Sequence, residues 1–226
     1  MIRVHHLNNS RSQRILWLLE ELELEYEVVR YERDPDTLLA PPELRAIHPL
    51  GKSPVVEDRG QVLAESGAIC EILVDRYGAD RLMPPQGSPE WARYLYWLHF
   101  AEGSAMPPLL LKLVFDKVRS TRAPFFVKPL LHGVADKVGK RLIQPQLAAQ
   151  RDYYESELQR APWFAGAQFT AADIMMSFPL DAMAARVGVG PEHPSLAAFL
   201  ARIHARPAYR RALQRGGPYQ IAGGTE

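Results

Sequence analysis

The stretch from Gly78 to Pro89, GADRLMPPQGSP, constrains the fold of this chain most, because the texture of the sequence changes across it. Its density of Gly and Pro disfavours helix and strand alike and reads as a linker between two units. Before it, short strand-like runs alternate with runs of helical period. Ile2 to His6 reads as a strand, and Ile15, Leu18, Leu19 and Leu22 follow the i, i+3, i+4, i+7 spacing of one helix face. YEVVRY reads as a second strand, a Pro-rich segment around Leu44 as helix-like, and Val55-Val56 as a third strand. DRGQ is a turn signal that folds this strand onto QVLA as a hairpin, and Ser66 opens a helix through Ala68, Ile69, Ile72, Leu73 and Tyr77. The predicted order is β-α-β-α-β-β-α.

Beyond the linker almost everything is of helical period. Trp91 to about Arg119 reads as one long helix bent at Pro107-Pro108, and a second long pattern runs from about Phe125 to Leu158. Shorter helices are predicted at 171–186, 194–205 and 207–214, and GGPYQIAGGTE is expected to be a loose tail. The expected organisation is an α/β unit over 1–78, a linker over 79–89 and an all-helical unit over 90–226.

Charge excludes several classes of function. Lys plus Arg number 27 against 26 Asp plus Glu, so no bulk field draws nucleic acid or an anionic membrane. One cysteine, Cys70, permits neither an intrachain disulfide framework nor a cysteine zinc site. The opening MIRVHHLNNSRSQR is too polar for a signal peptide, and no apolar run reaches membrane-spanning length. A soluble cytoplasmic protein without nucleic-acid or membrane partners is the expectation. No metal is expected either, since His5 and His6 are adjacent on a strand, point to opposite faces and cannot chelate together. Cys70, one turn inside a helix on its apolar side, reads as a buried small hydrophobe rather than a nucleophile.

Four segments could carry chemistry. Asn8, Asn9, Ser10 and Ser12 cluster where the first strand meets the first helix. Such residues cap the orphan N–H groups of a helix, and the same donors and partial positive charge can stabilise an anion such as a thiolate. In HPLGKSPVVE, Pro54 stands at the mouth of a strand although proline has no N–H for a sheet ladder. A cis bond there would leave the main chain of Ser53 outside the sheet, free to pair with an extended, peptide-like ligand; a surface turn is the plainer reading. In AESGAI, Glu65 and Ser66 at a helix start can receive an ammonium and a carboxylate, or act as a cap beside a surface acid. Thr170 and Asp173 in FTAADIMM form a capping box with Phe169 and Ile174 as its hydrophobic staple, a folding signal.

Together and in order, these elements resemble the cytosolic glutathione transferase family over nearly the whole chain. HPLGKSPVVED is similar to the family's N-P-x-G-x-V-P-x-L segment, which holds a cis proline, ESGAI to its E-S-x-A-I segment, and TAAD to its helical-domain capping box. LHFAEGSAMPPLL and RALQRGGPY resemble a branch shared by bacteria and fungi. The resemblance implies a thioredoxin-like N-terminal domain, an all-α C-terminal domain and a homodimer. Ser10, four residues before Arg14, falls where theta- and zeta-like classes place a serine whose hydroxyl donates to glutathione sulfur. Asn9 and Ser12 stand as alternative activators. The resemblance further implies that Pro54 is the cis proline and that Ser53 pairs its main chain with the cysteinyl unit. Glu65 and Ser66 would hold the γ-glutamyl end, and Lys52 would meet the glycyl carboxylate. His48 stands where the family has Asn, and Ser53 where it has Val; the role of Ser53 uses only backbone.

The implied activity is conjugation of glutathione, as thiolate, to an apolar electrophile, or reduction of a hydroperoxide. The second substrate is expected between the domains near Phe100, Met106 and Phe115, residues that can equally be core. Two other readings are a glutathione-dependent thiol–disulfide reductase and a non-catalytic module that binds protein partners. The first needs a cysteine where Ser10 stands, and the second has no need of a retained glutathione site.

Overall fold

The computed structural model describes residues 1–35, 37, 39–78, 81–217 and 219. Its N-terminal elements are β1 (Ile2–Leu7), α1 (Ser12–Glu21), β2 (Tyr26–Tyr31), α2 (Pro42–Ile47), β3 (Val55–Asp58), β4 (Gln61–Ala64) and α3 (Ser66–Tyr77), in the order predicted. The strands form one sheet of order β2-β1-β3-β4. β1 runs parallel to β2, with Val4 opposite Val28, and antiparallel to β3, with Val4 opposite Val56. The β3–β4 hairpin turns through Arg59 and Gly60, both at positive φ, the pair of conformations that matches the right-handed twist of the flanking strands.

After α3, the described residues form seven α-helices and two π turns, which follow the expected pattern only in part. The long helix does not simply bend at Pro107-Pro108. α4 (Pro89–Phe100) passes through a π turn at Ala101–Ala105 into α5 (Met106–Ser120), whose first turn holds both prolines. Proline lacks the N–H for the i to i−4 bond, and the wider turn before it accommodates the lost partner. The second long pattern repeats the device: α6 (Lys128–Val138), a π turn at Gly139–Ile143, then α7 (Gln144–Arg160) with Pro145 in its first turn. α8 (Ala171–Arg186), α9 (Pro194–Ala205) and α10 (Pro207–Gly216) follow close to their predicted bounds.

The capping box explains the sharp start of α8. Thr170 N–H donates to Asp173 Oδ2 at 2.8 Å, and Phe164 N–H donates to Asp173 Oδ1 at 2.9 Å, so one buried carboxylate ties the preceding loop to the helix. α8 is buried almost throughout and packs on α1, α3 and α4. The apolar core therefore runs without a break from β1 and α1 through α8 to α9 and α10. Among the described residues no helix is long and apolar enough to cross a membrane. Of the expected loose tail only Gly216, Gly217 and Tyr219, and of the linker all but Ala79 and Asp80, fall within the described residues.

Candidate active site

The sheet delivers four chain segments to one place: the end of β1, the start of α1, the head of β3 and the start of α3. The Ser53–Pro54 bond is cis, and β3 begins immediately after it at Val55. Among the described residues no main-chain hydrogen bond engages Ser53. Its side chain is engaged: Ser53 Oγ donates to His5 O at 2.8 Å and accepts from Leu7 N–H at 3.2 Å. The β1–β3 ladder ends at His5 opposite Val55, so this hydroxyl takes over the β1 groups just beyond it. Proline-interrupted pairing is thus completed by a side chain, a role that the reading of Ser53 as backbone alone missed.

Lys52, Ser53, Pro54, Glu65 and Ser66 line a single cleft of about 300 Å³. Glu65 is held at φ +69°, a conformation an L-residue adopts at a cost of order 1–3 kcal/mol and one that concentrates at functional sites. It immediately precedes α3, whose first residue, the buried Ser66, lines the cleft. The cleft's other walls were not foreseen. Arg11, Glu102 and Leu110 close it from α1, the first π turn and α5.

Arg11 and Glu102 form an ion pair in the wall of the cleft. Arg11 Nε donates to both Glu102 oxygens, at 3.1 and 2.9 Å, while Arg14 donates to the same carboxylate from beneath. Arg14 is 1% exposed and also donates to Met175 O at 2.8 Å. Burial works to raise the Glu102 pKa, but Arg14 and Arg11 together hold it below the ordinary carboxylate range. Nothing in the local sequence pairs residues 91 apart, so this triad has no short-range signal. The π turn that carries Glu102 is the only hint, and it is itself visible only as proline following a long helical run.

Ser10, Asn9 and Ser12 do not line that cleft. Ser10 is 4% exposed; it accepts the Ser12 N–H at 3.3 Å, a capping contact, and its hydroxyl lies 2.7 Å from Ser12 Oγ. Ser12 Oγ lies in turn 2.8 Å from His6 Nδ1. Burial pushes the His6 pKa down to about 4, so this buried chain of three side chains ends on a neutral imidazole at pH 7. Asn9 sits at φ +48° in the turn before α1. His5 points to the other face of β1, to Tyr31 Oη and Glu57 Oε1.

Cys70 is fully buried and its thiol is pushed up to about 12 by burial, which suits a small core hydrophobe. Phe100 packs among Tyr96, Trp97, Tyr153 and Tyr154, and Met106 is buried. Phe115 lines a separate cavity within the helical elements. The apolar groups beside the cleft are instead Leu50 and Leu110, both more than half exposed.

Comparison with known proteins agrees with this fold. Family models for the glutathione S-transferase N-terminal and C-terminal domains match residues 1–75 and 136–207. The chain is 34% identical over 223 residues to glutathione S-transferase 1 of Saccharomyces cerevisiae, covering 95% of each. It is 35% identical over 215 residues to glutathione S-transferase 3 of Schizosaccharomyces pombe, covering 95% of this chain and 88% of that one. The crystal structure of a glutathione S-transferase from Actinobacillus pleuropneumoniae superposes with a TM-score of 0.77 at 33% identity, over 98% of this chain and 95% of that one.

Proposed function

The chain belongs to the glutathione S-transferase family and is an enzyme of that activity, and we propose that it works by activating the glutathione thiol as a thiolate beside Pro54. What carries the reading is the gathering of residues 52–54 and 65–66, far apart in sequence, into one cleft. Ser53 offers an unengaged main chain to the cysteinyl unit. Glu65 meets the γ-glutamyl ammonium, Ser66 and the start of α3 its carboxylate, and Lys52 the glycyl carboxylate.

A free thiol has a pKa of about 8.5, so lowering it by two units takes about 2.7 kcal/mol of preference for the anion. Ser10 supplies the donor. When both Ser12 groups, N–H and O–H, donate to Ser10 Oγ, the Ser10 proton is left to point at sulfur and is a better donor for being so polarised. The start of α1 and the Arg11 guanidinium add positive potential on the same side. The thiolate attacks an apolar electrophile lying against Leu50 and Leu110, or reduces a hydroperoxide. Ser10 and the likeness to bacterial and fungal relatives support reading the chain as theta- or zeta-like, of a bacterial–fungal branch. Residues 1–78 form the glutathione-binding domain, 79–89 the linker and 90–226 the helical domain of a cytoplasmic homodimer.

Ser10→Ala is expected to lower kcat about tenfold or more and to raise the apparent thiol pKa by at least about one unit, with KM for glutathione within about twofold. Turnover and pH–rate profiles with an activated aryl halide read this out. An unchanged profile removes the role from Ser10 and passes it to Ser12 or Asn9, tested by the same measurement.

A further inference from the structure

The near-neutral sum of charges conceals a local asymmetry. Residues 111–142, from α5 through α6 into the second π turn, carry eight Lys and Arg against two Asp. That is a net of +6 in a chain of net +1, so the remainder sums to −5. Both carboxylates are already paired, Asp116 with Lys112 at 2.8 Å and Asp136 with Arg119. The other six cations, Lys117, Arg122, Lys128, Lys137, Lys140 and Arg141, are exposed and make no ion pair among the described residues.

The same hairpin exposes apolar surface. Eight of the thirteen large hydrophobic side chains exposed among the described residues lie between 110 and 142. On α5, Leu110, Val114 and Lys117 share one face by their i, i+4, i+7 spacing, and on α6 Leu130, Val134 and Lys137 do the same. Between the helices Val127 N–H donates to Pro124 O at 2.9 Å, closing a turn with Phe125 and Phe126 at its two corners. Such corners ordinarily carry Gly, Asn, Asp or Pro. Here the two phenylalanines stand 84% and 69% exposed, edge to face with centroids 5.5 Å apart. Pro124 and Pro129 fix φ on either side, so the tip has little conformational freedom left to lose on docking.

An aromatic tip ringed by unpaired cations suits the boundary between water and lipid. Rings settle there at headgroup level, and Lys and Arg are drawn to anionic phospholipid. A second copy of the chain on this face fits poorly, because a two-fold contact sets six unpaired cations against six more.

We propose that the α5–α6 hairpin is a docking surface for an anionic phospholipid membrane, with Phe125 and Phe126 seated among the headgroups and the six cations over the phosphates. Leu110 belongs both to the α5 stripe and to the wall of the glutathione cleft, so the docking face runs into that cleft's apolar side.

The test floats the full-length protein with vesicles of phosphatidylcholine alone or of equimolar phosphatidylcholine and phosphatidylglycerol. Binding to the mixed vesicles is expected to be at least about tenfold tighter and to weaken as salt is raised. Phe125→Ser with Phe126→Ser is expected to weaken it about tenfold, and Lys128→Glu about fivefold or more. Arg45→Glu, the same change of charge at an exposed position on α2, is expected to stay within about twofold. The substituted hairpin positions are exposed, and either variant alone decides. No binding to the mixed vesicles, equal binding to both kinds, or equal affinity in wild type and the hairpin variants overturns the proposal. So does a fall in sedimenting mass of the doubly substituted Phe variant, which gives this face to a second copy of the chain.

Discussion

Arg14 is the residue on which the site's construction turns. A guanidinium that is 1% exposed keeps its charge only if that charge is answered, and Glu102 answers it. Removing one partner of such a pair leaves an uncompensated buried charge, which costs more than the pair itself contributes. Glu102→Ala is therefore expected to destabilise the fold by about 3 kcal/mol, near the lower end for buried pairs because the carboxylate is partly exposed. Adding Arg14→Met should recover most of that loss in urea unfolding. Failure of the second change to recover stability would mean that the carboxylate acts chiefly through Arg11. At this scale, what could be read in advance was what sits in short motifs. Pro54, Glu65 and Ser66 lie in stretches whose local chemistry points to a ligand. Arg11 looks like one more polar residue in NNSRSQR until the fold brings Glu102 to it.

At the scale of elements, each proline has a different consequence that its neighbours decide. Pro89, Pro194 and Pro207 start helices, where a missing N–H is no loss; the starts at 194 and 207 were legible, whereas α4 opens at Pro89, two residues before the expected Trp91. Pro107 and Pro145 fall inside long helical runs and are preceded by π turns; the sequence shows the interruption but not how the backbone absorbs it. Pro54 ends a ladder, and Ser53 Oγ substitutes for the missing pairing of β1. Ser53→Ala is expected to cost about 1–2 kcal/mol, since it leaves Leu7 N–H and His5 C=O short of a partner. On the proposed pairing of glutathione with the Ser53 main chain, its binding should stay within about twofold by calorimetry. Weakened binding with unchanged stability would instead put the hydroxyl on the ligand.

At the scale of the whole molecule, the C-terminal helix closes the structure over its first. Arg206 bridges to Glu21, Arg211 and Arg215 bridge to Glu20, and Tyr209 meets Trp17 edge-on with centroids 5.1 Å apart. His6 lies beneath this contact: its ring bonds the main chain of Gly216 at the end of α10 and Ser12 at the start of α1. The docking of α10 could not be read from periodicity, which gives a helix its apolar face but not its partner. His6 makes it testable by pH. Its folded pKa of about 4 lies below the ordinary 6.5, so between those values the unfolded chain binds the extra proton. The stabilisation is complete above pH 6.5 and is lost as pH falls towards 4, about 3 kcal/mol in all. Glu102, with its pKa held down, loses stability in the same direction as acid is added. Asp173 acts oppositely, because burial raises its pKa to about 6 and its protonation favours the folded state as pH falls. These two groups are common to wild type and a His6 variant and drop out of the difference between them. His6→Gln keeps a polar side chain between Ser12 and Gly216 without the titrating group. The gap in unfolding free energy between wild type and His6→Gln, measured by urea at pH 7 and pH 4, should therefore shift by about 3 kcal/mol against wild type. A gap that stays constant over that interval means the imbalance of protons is not at His6, and that its ring can charge without loosening α10 from α1.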